Sequence, residues 1–421
     1  MLKKAVVVLG ALGLCALSLI SLSCANSSNR PAGLLYVVSQ SQLNVSSFSV
    51  NLGNGSLSLI NPNLVGTCPQ SMTCGLPLGI SVDPSGDTAF VLNQQALSSY
   101  NVGSDGSLVI EATPAYTFPT GQTAVAMTPT AAGDFLFVIT VGAPNPTDCP
   151  APDGSYGSDC PIIWVFNTNP GSTTVTLANS YPLSRIPTAL SVLTYTIAPN
   201  PTQTMLFVTS NYDLTSYHND SELSVFTVDS SGNLTEQSSS PYTTQVDPLA
   251  VKAVNTNPAA QNTGGVFVYV GSQGAVSGSV SAFEVCTQAV SAPCTGVTLG
   301  NLVAIGTAMN TGQNPIAMLA DPSNTFLYVA CNVGNNVYGF TMTTATGILV
   351  SLSPALQPTG TGPVALAMHP SSNVSNEYLY VANNAGSTIS GYTVNVTTGS
   401  LSSPMSPIIF PPGNPYGMAA R

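Results

Sequence analysis

The sequence predicts an all-β chain: a seven-bladed β-propeller with four antiparallel strands per blade, its ring closed by pairing the C-terminal strand with the N-terminal strands. Three observations predict it. An apolar–aromatic–apolar triplet recurs seven times, a second strand built round an aromatic follows each triplet, and the chain begins and ends within one blade.

The triplets are LYV at Leu35 to Val37, AFV at Ala89 to Val91, LFV at Leu136 to Val138, LFV at Leu206 to Val208, VYV at Val268 to Val270, LYV at Leu327 to Val329 and LYV at Leu379 to Val381. Their aromatic centres are spaced by 54, 47, 70, 62, 59 and 52 residues. The strands that follow centre on Phe48, Tyr100, Phe166, Phe226, Phe283, Phe340 and Tyr392. Alternation in SSFSV, SVFTV and SGYTV predicts that these strands bury one face and expose the other. A glycine turn and a short strand come next, as in GNGSLSL, SDGSLVI, SSGNLTE, ATGILVS and TTGSLSS. A last strand leads into the next triplet, as in PLGISVDP, TAVAMTP, PIAMLADP and PVALAMHP. Two places after its proline position stand Gly79, Ala124, Ala250, Ala317, Ala365 and Gly417. Small residues there fit an innermost strand converging on the propeller axis, where larger side chains would collide. The chain enters at the second strand of a blade, Leu34 to Val38, and ends with Asn414 to Ala419, an innermost strand without successors. Joining the two would seal the ring and remove the exposed sheet edges.

Composition narrows the function classes. Of 421 residues, 44% are hydrophobic and 5% charged, with 6 basic against 17 acidic residues and a net charge of −11. The apolar content suffices for a core. So few cations exclude nucleic-acid partners and polybasic membrane contacts, and a helical bundle would need more Glu, Lys and Arg. Lys3 and Lys4 precede an apolar run from Ala5 to Ile20, which reads as an export signal over residues 1–24. Residues 25–32 then form a flexible tether and residues 33–421 the propeller. Cys24 is the candidate lipidation site of an envelope lipoprotein; cleavage after Ala25, giving a simply secreted protein, is the competing reading. The expected location is the periplasm, a membrane-anchored cell envelope or the extracellular space. Six cysteines form close pairs in loop-like insertions, Cys68–Cys74, Cys149–Cys160 and Cys286–Cys294, as local disulfides of an exported protein would. Cys331 lies in an apolar strand and reads as a small buried hydrophobe.

The repeats FLYVACNVGNNVYGFTM at Phe326 to Met342 and YLYVANNAGSTISGYTV at Tyr378 to Val394 resemble YVTN-type propeller repeats. That pattern is similar to the seven-bladed lactonase family, which includes 6-phosphogluconolactonase-like and carboxymuconate-cyclase-like proteins. The resemblance covers roughly residues 33 to 421 and rests on structural positions, so it implies the fold and, less directly, lactone hydrolysis.

Loops before each innermost strand, and those after each triplet strand, gather on one face, where propeller ligands bind. Cys68–Cys74 and Cys149–Cys160 are expected on that face and Cys286–Cys294 on the opposite one. The same loops carry Asn93, Asn211, Asn332, Asn335, Asn383 and Asn384. These amides serve as turn formers or, alternatively, as ligand donors, with Asn211, Asn332 and Asn383 the binding candidates. Arg185, Lys252 and Arg421 are the cations of the predicted propeller. Arg185, His218 and Asp247 fall on one face near the fourth blade. A lactonase needs a base and an oxyanion donor, so His218 would be the base, Asp247 its orienting partner and Arg185 the oxyanion stabiliser. The bland alternative is a solvated loop histidine among incidental charges. His369 takes the turn place of Asp83 and Asp321 and reads as structural. Lys252 stands where other repeats carry Ser81, Ala126, Leu319, Ala367 and Ala419, and would bind an anion, snorkel to a channel end or pair with a carboxylate. The acidic loop Tyr212 to Glu222 lacks the spacing of a recognised calcium loop, and no cofactor or metal is implied. The expected partner is a small polar ligand, a glycan or an envelope protein. A phosphorylated lactone is disfavoured by the net charge, the expected state is monomeric, and contact with a membrane is made only through Cys24.

Overall fold

A computed structural model describes residues 31–421 apart from 32, 61–63, 71, 143–159, 197–201, 216–217, 257–264, 275, 288–292, 370–376 and 406–412. The predicted export signal, Cys24 and most of the predicted tether lie outside the described residues, as does Cys149.

Seven sheets stand round an axis, each running from an inner strand through the triplet strand and the second aromatic strand to the rim. The inner strands are Pro77–Val82, Thr123–Pro129, Arg185–Tyr195, Pro248–Asn255, Pro315–Ala320, Pro363–Met368 and Pro415–Ala420. Each packs against the next, and the last against both the first and the sixth, so the ring is complete. The closing pair joins Pro415–Ala420 to Leu34–Ser39, with Tyr36 opposite Ala419 and Val38 opposite Gly417. Backbone bonds of 2.7 and 2.9 Å between Leu34 and Arg421 extend that seal. In the seventh blade the rim position is held, among the described residues, by an isolated bridge between Val394 and Leu401.

One register is common to every blade. The residue before the triplet aromatic faces the second aromatic: Leu35 and Phe48, Ala89 and Tyr100, Leu136 and Phe166, Leu206 and Phe226, Val268 and Phe283, Leu327 and Phe340, Leu379 and Tyr392. A bulge follows the proline position of all seven inner strands. It corrects the alignment of the third blade. There Ala124 holds the proline place, so Ala126 is the small residue and Thr128, not Ala126, is the counterpart of Lys252. The small position is thus Gly79, Ala126, Ala189, Ala250, Ala317, Ala365 and Gly417.

The second aromatic strands are more buried than their alternation predicted. Ser46, Ser47, Ser98, Ser99, Ser224 and Ser390 are all inside. Both faces of a blade are covered by neighbours, so the polar places mark a buried face rather than solvent, and some of them hydrogen-bond inside. Ser98 Oγ donates to the Thr67 carbonyl at 2.8 Å, and Asn383 donates to Ser390 Oγ at 2.9 Å. The apolar core is correspondingly divided into seven interblade layers, such as Tyr36, Val91 and Tyr100 between blades one and two, and Phe207, Val251 and Val268 between blades four and five.

Four of these layers carry a directional tie. The triplet tyrosine donates its hydroxyl to the carbonyl of the turn glycine in the next blade: Tyr36 to Gly106, Tyr269 to Gly347, Tyr328 to Gly399 and Tyr380 to Gly55, at 2.7–3.0 Å. The glycines sit at φ between 63° and 87°. A Cβ on Gly399 would lie 2.3 Å from the Phe326 ring, which explains the glycine in these turns. The other three triplets carry Phe90, Phe137 and Phe207, which have no hydroxyl to donate.

Cys68–Cys74 and Cys286–Cys294 are disulfide-bonded. The first closes a loop leading to an inner strand, and the second follows the strand Ser279–Val285 at the opposite end of its sheet. Cys331 is free and fully buried, and burial pushes its thiol up to about 11.

Candidate functional site

Charge on the loop face is concentrated at the corner of blades four and five. The inner strand of blade four runs eleven residues, Arg185–Tyr195, and its partner strand equally far, Gln203–Asp213, so both project beyond the shorter strands of other blades. This projection sets Arg185 opposite Asp213. A small apolar cluster of Cys160, Leu214, Ile186 and Tyr212 supports the projecting ends.

Arg185 reaches across the middle strand and donates through Nε to Glu222, the first residue of Glu222–Val228. Its Nη1 lies 3.3 Å from Ser184 Oγ. The two side chains are 21% and 20% exposed, so the pair is at the surface of a recess rather than sealed within it. Burial pushes the Glu222 carboxyl above its usual range; Arg185 opposes that shift, while Asp220 and Asp213 add to it. At the start of this strand the other six blades carry Asn44, Ala96, Ile162, Ser279, Asn336 and Thr388. Glu222 is the carboxylate in that ring, a signal that emerges only once the strand register is known. Sequence reasoning gave it no role.

His218 and Asp247 flank the pair. The His218 carbonyl accepts from Asp213 N–H at 3.0 Å, and its side chain is exposed. Asp247 occupies a left-handed conformation, φ 52°, and its N–H donates to Ser221 Oγ at 3.0 Å. Ser221 adjoins Glu222, so the backbone brings Arg185, His218, Glu222 and Asp247 to one corner. Among the described residues, no hydrogen bond or ion pair joins the His218 side chain to Asp247 or Arg185.

The amides divide differently. Asn332 donates to the Pro363 carbonyl at 3.0 Å, Asn384 to Pro415 at 3.2 Å and Gln40 to Pro77 at 3.1 Å. These are one repeated tie from the end of a triplet strand to the next inner strand. Asn211 holds the same place in blade four, where Thr188 Oγ1 instead bonds the Pro248 carbonyl at 2.6 Å. Asn211 is half-buried and, among the described residues, makes no comparable tie; it lies two residues before Asp213, the strand partner of Arg185. Asn383 is fully buried, with its amide engaged by Thr359, Thr388 and Ser390 at 2.9–3.0 Å. His369 is likewise buried at its turn. Lys252 lies on the inner strand of blade five opposite Tyr269, half-buried, away from the corner. Among the described residues, no three His, Cys, Asp or Glu side chains cluster as a metal ion would require.

Neither a protein-family model nor a curated protein matches the chain. Solved structures do match. The periplasmic gluconolactonase PpgL of Pseudomonas aeruginosa superposes with a TM-score of 0.61 at 14% identity, over 92% of this chain and 98% of that one. A Bacteroides fragilis protein provisionally named a 6-phosphogluconolactonase gives the same TM-score, identity and coverage of both chains, 0.61, 14%, 92% and 98%. A functionally unknown protein from Desulfotomaculum acetoxidans gives 0.55 at 14% identity, over 90% and 97%. The chain shares the seven-bladed fold of lactonase-type propellers, as its repeats led one to expect.

Proposed function

We propose that the chain is an exported propeller of the lactonase-like family that binds a neutral polar ligand, of sugar or glycan class, on its loop face at the corner of blades four and five. The observation that carries this reading is the Arg185–Glu222 pair. A hydroxyl both donates and accepts, and a partly exposed guanidinium beside a carboxylate offers both partners within one contact. Because Glu222 already neutralises Arg185, the corner keeps no free cation for a phosphate, and a neutral ligand suits it better. Asn211 adds an amide at the same edge. Two disulfides among the described residues and the periplasmic location of one structural neighbour support export, with lipidation at Cys24 as the anchor.

A glycan array followed by calorimetry on a hit tests this. Arg185→Gln and Glu222→Gln should each weaken binding at least about tenfold, since a hydrogen bond to a charged group contributes roughly 1.5–3 kcal/mol. Unchanged affinity in both variants would overturn the reading.

The raised Glu222 carboxyl favours a second reading, hydrolysis of a neutral lactone at the same corner. Water attacks the acyl carbon, a base accepts its proton, Arg185 steadies the oxyanion, and the base returns that proton to the ring oxygen as the C–O bond breaks to give a hydroxy acid. His218 oriented by Asp247, or Glu222, would be that base. On a panel of sugar and aromatic lactones, loss of turnover in His218→Ala alone assigns the histidine, and loss in Glu222→Gln alone assigns the carboxylate. No turnover by the unmodified protein ends this reading.

A further inference from the structure

Lys252 carries an inference separate from the loop-face corner. It belongs to the inner strand Pro248–Asn255, whose one sheet neighbour is Val266–Ser272, so its other edge faces the propeller axis. Opposite the triplet aromatics, the equivalent places hold Ser81, Thr128, Ser191, Leu319, Ala367 and Ala419. Lys252 is therefore the single ionisable residue in a seven-membered inner ring.

The flanking residues fix how it sits. Val251 and Ala253 pack into the layer between blades four and five. Lys252 alternates with them and shares a side with Val254 and Tyr269, which belong to the layer between blades five and six. Met318 and Ala320 of the next inner strand face that layer and bring no charge. Among the described residues, no hydrogen bond or ion pair joins Lys252 to another group. The side chain keeps some exposed surface while protein closes round it densely, and this desolvation lowers its pKa with no acidic neighbour to oppose it. A cation crowded by protein and lacking a counter-ion costs stability unless something anionic joins it.

We infer that Lys252 is the receptor for a small carboxylate anion in the axial channel. Its neighbours in the ring are hydroxyl-bearing or apolar and carry no competing charge.

The chain makes this directly observable, because its lysines are Lys3, Lys4 and Lys252 alone. Reductive ¹³C-methylation yields a Lys252 signal distinct from the N-terminal amine and from whichever of Lys3 and Lys4 the purified protein retains. Lys252→Met assigns it. Acetate and lactate, titrated at constant ionic strength against chloride, should shift this signal saturably, half-complete below about 10 mM, a dissociation constant ordinary for a single charged contact. The shift should persist in Arg185→Gln, which separates it from the loop-face reading. No shift, a shift shared by all amine signals, or an equal saturable shift with chloride alone overturns the proposal. The wild-type titration decides even where Lys252→Met fails to fold.

Discussion

Blades five, six, seven and one differ from blades two, three and four in how they hold their successors. In the first group the triplet aromatic is tyrosine, and its hydroxyl reaches the turn glycine of the next blade. In the second it is phenylalanine, which contributes apolar packing only, as with Phe137 and Phe207. There the hydrogen bonds between successive blades come from scattered groups that do not repeat, such as Gly171 N–H to Asp83 and Thr188 Oγ1 to the Pro248 carbonyl. The three longest triplet spacings, 70, 62 and 59 residues, begin at Phe137, Phe207 and Tyr269 and cover blades three to five, where Arg185, His218, Glu222, Asp247 and Lys252 lie. The regular half specifies the ring by repeated hydrogen bonds. Blades three and four carry the two longest insertions together with Arg185, His218 and Glu222, whereas Lys252 lies on blade five and Arg421 at the closing strand of blade one. Function has room where the repeat has loosened.

Substitutions in the regular half should have the largest effects. Gly399→Ala combines a left-handed backbone with a Cβ 2.3 Å from Phe326. Strain and overpacking together should cost at least about 3 kcal/mol by urea denaturation. A loss under about 1 kcal/mol would mean that these turns shift freely and the tyrosine tie is incidental. Tyr328→Phe is milder: it keeps the ring and strands the buried Gly399 carbonyl, for an expected loss of about 1–3 kcal/mol. The same experiment on Tyr36, Tyr269 and Tyr380 should give matching losses. A null result at all four would erase the distinction between the halves.

A pH experiment sharpens the comparison within the regular half. Glu377, in blade seven, has its carboxyl pushed up by burial and then by the charge of Asp321. A group whose pKa rises on folding contributes stability that is present below its unfolded pKa and is lost as pH climbs through the folded value. Glu377→Gln should therefore match the unmodified protein near pH 4 and exceed it in stability near pH 7, about where ordinary glutamates are fully ionised. Equal stabilities at both pH values would refute this.

The regular half was legible in the sequence because packing dictates it. The triplet, second aromatic and turn glycine each meet a neighbouring blade, and the register repeats without exception. Errors arose where the repeat drifts. Counting back two places from Ala124 points to Gln122 as the proline position of the third blade, but the bulge between Ala124 and Ala126 puts it at Ala124. The buried serines of the second aromatic strands were read as a solvent face because alternation alone cannot tell solvent from a polar partner inside. The site was the least legible. Asn332 and Asn383 looked like their neighbour Asn211, yet the first ties blades together and the second is enclosed by Thr359, Thr388 and Ser390. Glu222 stood out only after strand pairing placed it in a ring of uncharged residues.

The smallest expected effect falls on the irregular half. Arg185→Gln removes one partner of a pair whose side chains are about one-fifth exposed, where solvent screens the attraction and the freed carboxylate can hydrate. Its loss should change stability by no more than about 1 kcal/mol, below the cost of Tyr328→Phe, because neither group closes an interblade layer. The measurement is a pair of urea curves at low and at high salt. Salt should shrink the Arg185→Gln difference, which is Coulombic, and leave the Tyr328→Phe difference unchanged, since a buried hydroxyl–carbonyl bond is not screened. A stability loss for Arg185→Gln equal to that of the tyrosine variants would make the pair a structural tie, and the separation of architecture from ligand chemistry between the two halves would fail.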